Sequence, residues 1–180
     1  MRSVLQEVVT LGGLALQRED CAIRAAVHSR GEHGGLVHIQ NERHHQFTIW
    51  KATLPVWHVD LEKHDNTDLT IACEDGQHYF EMKNWTDETG LQQLPMIQKD
   101  IYKLQCRDLR YIIITSVSSV GKTDEDISFL QSKVVGLNEN ERHEFRFGTL
   151  GFKGEPLEFW IAGWPVLSID LPVYPALEKI

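Results

Sequence analysis

Thr67-Asp68-Leu69-Thr70-Ile71-Ala72-Cys73-Glu74-Asp75-Gly76-Gln77-His78-Tyr79-Phe80-Glu81-Met82-Lys83-Asn84-Trp85 joins two β-rich runs at Asp75-Gly76, a dipeptide that favours a two-residue type I′ turn. With Asp75 and Gly76 as the loop, Glu74 is expected to face Gln77. The pairing then runs on through Ala72 with Tyr79, Thr70 with Glu81, and Asp68 with Lys83. Strand side chains alternate, so Asp68, Thr70 and Ala72 share a face with Tyr79, Glu81 and Lys83, while Leu69, Ile71, Phe80 and Met82 take the other. Directly opposed residues on such a ladder stand about 5 Å apart and diagonal ones about 7–8 Å. Both carboxylates can therefore lean onto one divalent cation, with the Lys83 ammonium beside it. The competing account is a surface hairpin with cross-strand charge pairs, which leaves Lys83 a coincidence.

Outward from the hairpin, the pattern predicts helices on both sides. A short helix over residues 3–10, capped by Ser3 and stopped by Gly12-Gly13, precedes a second over 16–28. Residues 1–38 thus read as a helical N-terminal extension, an added layer or a dimerisation element, ahead of an α/β domain over 39–180. A third helix over 41–54 places Phe47, Trp50 and Leu54 on a buried stripe, with Glu42 away from it, and ends before Pro55. Residues 56–63 alternate as a strand that ends in Glu62. After the hairpin a helix starts at Pro95 and buries Ile97, Ile101 and Leu104. The run 109–117 suits a strand covered on both faces. A helix over 124–134 and strands over 144–150 and 157–161 complete the pattern.

Asp68 and Glu81-Met82-Lys83, with that order of elements over roughly residues 40–118, resemble the catalytic hairpin of the PD-(D/E)xK superfamily, the restriction-endonuclease-like nucleases. Thr67 stands where that motif often has proline. The resemblance implies a mixed central sheet flanked by helices and metal-dependent hydrolysis of phosphodiester bonds, in DNA before RNA. Magnesium or manganese would be held by Asp68, Glu81 and the Met82 carbonyl, with Glu42 and Glu62 as further acids, and Lys83 would act in catalysis beside them. Gln98 and Lys103 would contact the phosphate backbone. His44 or His45 is a candidate manganese ligand, as in viral cap-snatching endonucleases of the same fold.

A net charge of −8 over 180 residues argues against nucleic-acid binding, which normally leaves a basic footprint. Against it, Lys99, Lys103 and Arg107 recur at helical spacing and read as one basic ridge, whose bland alternative is a solvated helix face. Cys21, Cys73 and Cys106 have no CxxC spacing, and none of the nine histidines pairs with cysteine at finger spacing. Gly121-Lys122-Thr123 ends like a P-loop, but Ser116 stands where the loop needs glycine. No membrane span or secretory signal is read, and a cytoplasmic protein is expected. Two alternatives remain: a catalytically silent binding or assembly module of the same fold, and a manganese-dependent RNA endonuclease.

Overall fold

Apolar runs that face both ways belong inside a sheet, and the chain has two of them. Leu109–Ser119 (β4) sends Ile112 and Ile114 to one side and Ile113 to the other, and Pro156–Pro165 (β6) divides Trp160 and Ile161 in the same way. The computed structural model describes residues 3–61, 67–86 and 90–170. Among these, His58–Leu61 (β1), Leu69–Cys73 (β2), Gly76–Asn84 (β3), β4, His143–Leu150 (β5) and β6 form one six-stranded sheet in the order β1-β2-β3-β4-β6-β5. β3 and β4 run parallel and every other pair is antiparallel. The parallel pair needs a crossover, which Gly90–Leu104 (α3) supplies.

Helices cover both faces. Val4–His28 (α1) and Glu42–Thr53 (α2) bury Leu5, Val8, Leu16 and Ile49 against Leu69, Phe80, Met82 and Ile113. On the opposite face, α3 and Thr123–Lys133 (α4) bury Ile97, Ile101, Leu104, Ile127 and Leu130 against Ile112, Ile114, Trp160 and Trp164. The protein is an α/β fold with a mixed sheet between helical layers. Among the described residues, no helix is long and apolar enough to cross a membrane.

The hairpin register differs from the expectation by two residues. Cys73 pairs with Gly76, so Glu74 and Asp75 form the turn, and Gly76 opens β3 at φ 132°, a conformation that favours glycine. The His78 ring, 2.9 Å from Asp75 Oδ1, closes the turn at this position. Thr70 consequently faces Tyr79, and one step beyond the Leu69–Phe80 pair Asp68 stands level with Glu81, not Lys83. An even displacement leaves every side chain on its expected face.

Three further expectations are corrected. α3 begins at Gly90, and Pro95 lies within it; the carbonyl left without a donor is that of Leu91, an exposed residue. α3 also ends at Leu104, so Arg107 lies beyond it and the basic ridge is not one helical face. α2 buries His45, Gln46, Ile49 and Thr53, while Phe47 and Leu54 are exposed. That helix turns a polar side to the sheet because His45 Nδ1 meets Thr115 Oγ1 at 2.8 Å. Phe47 packs outside with Trp50 and under Lys51.

The N-terminal segment forms one helix of 25 residues, not two, and packs as a layer of the core. Ser3 caps it as expected, its Oγ accepting from the Gln6 N–H at 3.2 Å. Gly12 and Gly13 are points of close approach and not a stop. A Cβ at Gly12 would lie 2.8 Å from Ile49, and one at Gly13 would lie 2.5 Å from the Phe145 ring. Buried Asp20 then ties α1 to its neighbours, accepting from the Leu36 N–H at 2.8 Å and from Thr149 Oγ1 at 2.6 Å. Gly13→Ala tests the close approach. In an open helix interior the substitution would gain about 1 kcal/mol, whereas overpacking against Phe145 should cost about 1–3 kcal/mol. Urea unfolding midpoints should show the loss.

Candidate active site

Alternation along β3 sends Tyr79, Glu81 and Lys83 toward α3, while Phe80 and Met82 enter the opposite core. Glu81 is 2% exposed, unusual for a carboxyl at a strand position. Asp68 precedes β2, half-buried, and its Oδ2 accepts from the Met82 N–H at 2.7 Å. The N–H and C=O of a strand residue point to the same edge, so the Met82 carbonyl faces the Asp68 side as well. Two carboxyls and one carbonyl therefore gather where β3 has passed the end of its ladder with β2.

The electrostatics record that crowding. Burial, then the charge of Asp68, push the Glu81 carboxyl up to about 8, against the pull of Lys103, whose Nζ lies 2.5 Å from Glu81 Oε1. Asp68 is raised by burial, an effect that hydrogen bonds from the Met82 N–H and the Glu81 carboxyl and the charge of Lys83 only partly offset. Lys83 is different. Burial opposes its charge, but Asp100 Oδ2 and Glu42 Oε1, each 3.0 Å from Nζ, outweigh it and hold the ammonium above its ordinary range. Four carboxyls, from Glu42, Asp68, Glu81 and Asp100, thus meet two ammonium groups. Fully ionised they leave two negative charges (4 − 2), the complement of one divalent cation.

Asp68, Glu81, Met82 and Lys83 are brought together as the hairpin pattern requires. Glu42 joins them through Lys83 at the start of α2. Glu62 lies outside the described residues. Lys103 reaches the carboxyl cluster, and Lys99 is exposed. Gln98 is engaged structurally, its side-chain amide bonding the Val135 N–H at 2.8 Å and the Val135 carbonyl at 3.0 Å. The Arg107 guanidinium rests 4.6 Å from the centre of the Tyr79 ring. His45, bonded to Thr115, is held down to about 4 by burial and then by His44, which itself lies 3.0 Å from Glu19.

Asp100 was not anticipated from the sequence. Its signal is a carboxylate at the second place of an otherwise apolar stripe, Ile97, Asp100, Ile101 and Leu104, one turn before Lys103. No protein-family model, curated protein or solved structure matches the chain.

The raised Glu81 carboxyl has a measurable consequence. As pH rises from about 4.5 toward 8, the unfolded glutamate ionises while the folded one keeps its proton, so stability falls across that window and levels off above it. Raised Asp68 adds the same sign. In chelator, Glu81→Gln should flatten this loss and gain on wild type by a few kcal/mol at the alkaline end. Urea unfolding across the window checks it, and parallel curves would mean that Glu81 is ionised throughout.

Proposed function

We propose that the protein is a metal-dependent endonuclease of restriction-endonuclease-like fold, hydrolysing phosphodiester bonds in DNA. The observation that carries this reading is the placement of Asp68, just before β2, beside Glu81 on β3, buried enough to raise both carboxyls, with Lys83 fully charged next to them. The order hairpin, crossover helix, parallel inner strand agrees with it. The donor set fits magnesium or manganese, hard cations that take oxygen ligands: Asp68, Glu81 and the Met82 carbonyl would hold the ion. Bound there, it would polarise the scissile phosphate and lower the pKa of a water molecule.

The chain's own contribution is placement of charge. Glu42 and Asp100 fix the Lys83 ammonium from two sides, so it enters the reaction already oriented, where it would position the attacking water and offset charge developing on the phosphorane. Lys103, with a side chain about one-third exposed, contacts the Glu81 carboxyl and is long enough to turn toward a phosphate. Exposed Lys99 adds a contact to the backbone of the substrate. The overall charge of −8 makes binding weak and best at low salt.

A second reading has its own support. Lys103 and Lys83 already compensate the carboxyls, which is what a silent binding module of this fold would retain. Three measurements separate the two. Manganese or magnesium should raise the wild-type melting temperature, and Asp68→Asn and Glu81→Gln should lose most of that shift. Lys83→Ala should keep the shift and lose cleavage by roughly 100-fold or more. Duplex, single-stranded and branched DNA and RNA at low ionic strength give the substrate, with cleavage expected on DNA and abolished by chelation. Wild type no more active than Asp68→Asn, with metal binding confirmed, establishes the silent module.

A further inference from the structure

The far end of the same hairpin carries a different set of ligand atoms. Cys73 ends β2, Asp75 lies in the turn and His78 is the third residue of β3; Cys73 Sγ, an Asp75 carboxylate oxygen and a His78 ring nitrogen all lie within 4.8 Å of one another. We propose that Cys73, Asp75 and His78 form a second metal site, for zinc or a transition ion of similar softness, independent of the carboxyl cluster at Asp68 and Glu81.

Geometry and donor type both support it. Bonds of about 2.0–2.3 Å in a tetrahedral zinc site put neighbouring ligand atoms about 3.3–3.8 Å apart. The three ligand atoms lie within 4.8 Å of one another, with His78 and Asp75 at 2.9 Å, and Asp75, on the surface, can adjust to that spacing. The imidazole is already fixed. His78 is 2% exposed, its ring stacks on Tyr111 with centroids 5.7 Å apart and planes 13° from parallel, and Nδ1 lies 3.1 Å from the Tyr111 hydroxyl. This leaves Nε2 facing the turn, 2.9 Å from Asp75 Oδ1. A hydrogen bond at the other ring nitrogen, here from Nδ1 to Tyr111, orients a metal-ligating imidazole. Tyr111 serves either tautomer: its O–H donates to Nδ1 when Nε2 carries the proton, and its oxygen accepts from Nδ1–H when Nε2 binds the ion.

Burial, then Asp75 and Glu7, push the Cys73 thiol up, so it is protonated at neutral pH without a cation beside it. Coordination would form the metal–sulfur bond as the thiol gives its proton to solvent, and the ion would meet the two carboxylates that otherwise oppose a thiolate. Cys73, Asp75 and His78 line a cleft of about 930 Å³ together with Glu7 and His58, from which water can complete four ligands. A thiolate and an imidazole select against magnesium, the ion that suits Asp68 and Glu81. The His78 side chain also points into the α1 face, whereas Glu81 points to α3.

Cobalt(II) titration in a Cys21→Ser, Cys106→Ser background tests the site. Wild-type ligands should give near-ultraviolet thiolate-to-cobalt absorption and the visible bands of a tetrahedral ion, displaced by zinc and not by excess magnesium. Cys73→Ser should abolish the thiolate absorption. Asp75→Asn, a surface change that leaves the fold intact, should weaken cobalt binding at least about tenfold, and Tyr111→Phe should weaken it about tenfold. Asp68→Asn combined with Glu81→Gln should leave the cobalt spectrum unchanged, so failure of the nuclease reading and failure of this one are told apart. Absence of thiolate absorption, its survival in Cys73→Ser, or undiminished affinity in Asp75→Asn would overturn the proposal and leave the His78–Asp75 contact as a turn-closing hydrogen bond.

Discussion

The hydrogen bond from the Met82 N–H to Asp68 Oδ2, 2.7 Å long, is the interaction on which the rest of the site depends. It joins a carboxyl in the segment before β2 to the backbone of β3, and so holds Asp68 against a neighbour, Glu81, that repels it whenever both are ionised. A charge-assisted bond of this kind contributes about 1.5–3 kcal/mol and offsets part of that repulsion. The remaining difference is met by a proton on Glu81, by the Lys103 ammonium, or by a bound cation. With Lys103 in place and a proton on Glu81, the cluster still carries net negative charge, which a divalent cation would offset in the proposed assignment.

The two lysines divide the work by how firmly they are held. Lys83, 15% exposed, lies between Glu42 from α2 and Asp100 from α3, so moving it means breaking two ion pairs in a half-buried place. Lys103 approaches Glu81 from α3 with more of its stem in solvent. The first is a fixed charge and the second a movable one. Because Glu42 and Asp100 belong to helices on opposite faces of the sheet, Lys83 also records that both layers are in register with β3.

Legibility in the sequence followed the strength of each local rule. Period-two alternation assigned Glu81 and Lys83 to one face and Phe80 and Met82 to the other, and this survived a two-residue error in register because even displacements leave faces unchanged. Asp75-Gly76 misled because glycine at positive φ serves a strand start as readily as a turn centre. Gly12-Gly13 misled for a related reason: a glycine that ends a helix and one that lets a neighbour approach are the same residue, and the difference lies in Ile49 and Phe145, distant in sequence. Phe47 and Leu54 followed helical spacing but not burial, since a bond from His45 to Thr115 decides which side of α2 meets the sheet. Asp100 was hidden by its surroundings, an acid in an apolar stripe whose partner lies on another element.

The same alternation separates two kinds of chemistry on one strand. Odd-numbered positions of β3 face α3, where lysines and carboxyls meet and oxygen donors prevail. Even-numbered positions face α1, where Phe80 and His78 both stack on Tyr111 and the donors near the turn are sulfur and nitrogen. The apolar packing of Phe80 and Tyr111 makes the His78 ring rigid, and a rigid imidazole loses less entropy when it binds. Hard and soft ligands on opposite faces of a sheet cannot share an ion, so each end of the hairpin would select its own cation by donor type rather than by affinity alone. In the proposed assignments, one strand therefore carries two selectivities, and their separation is a consequence of the pleat.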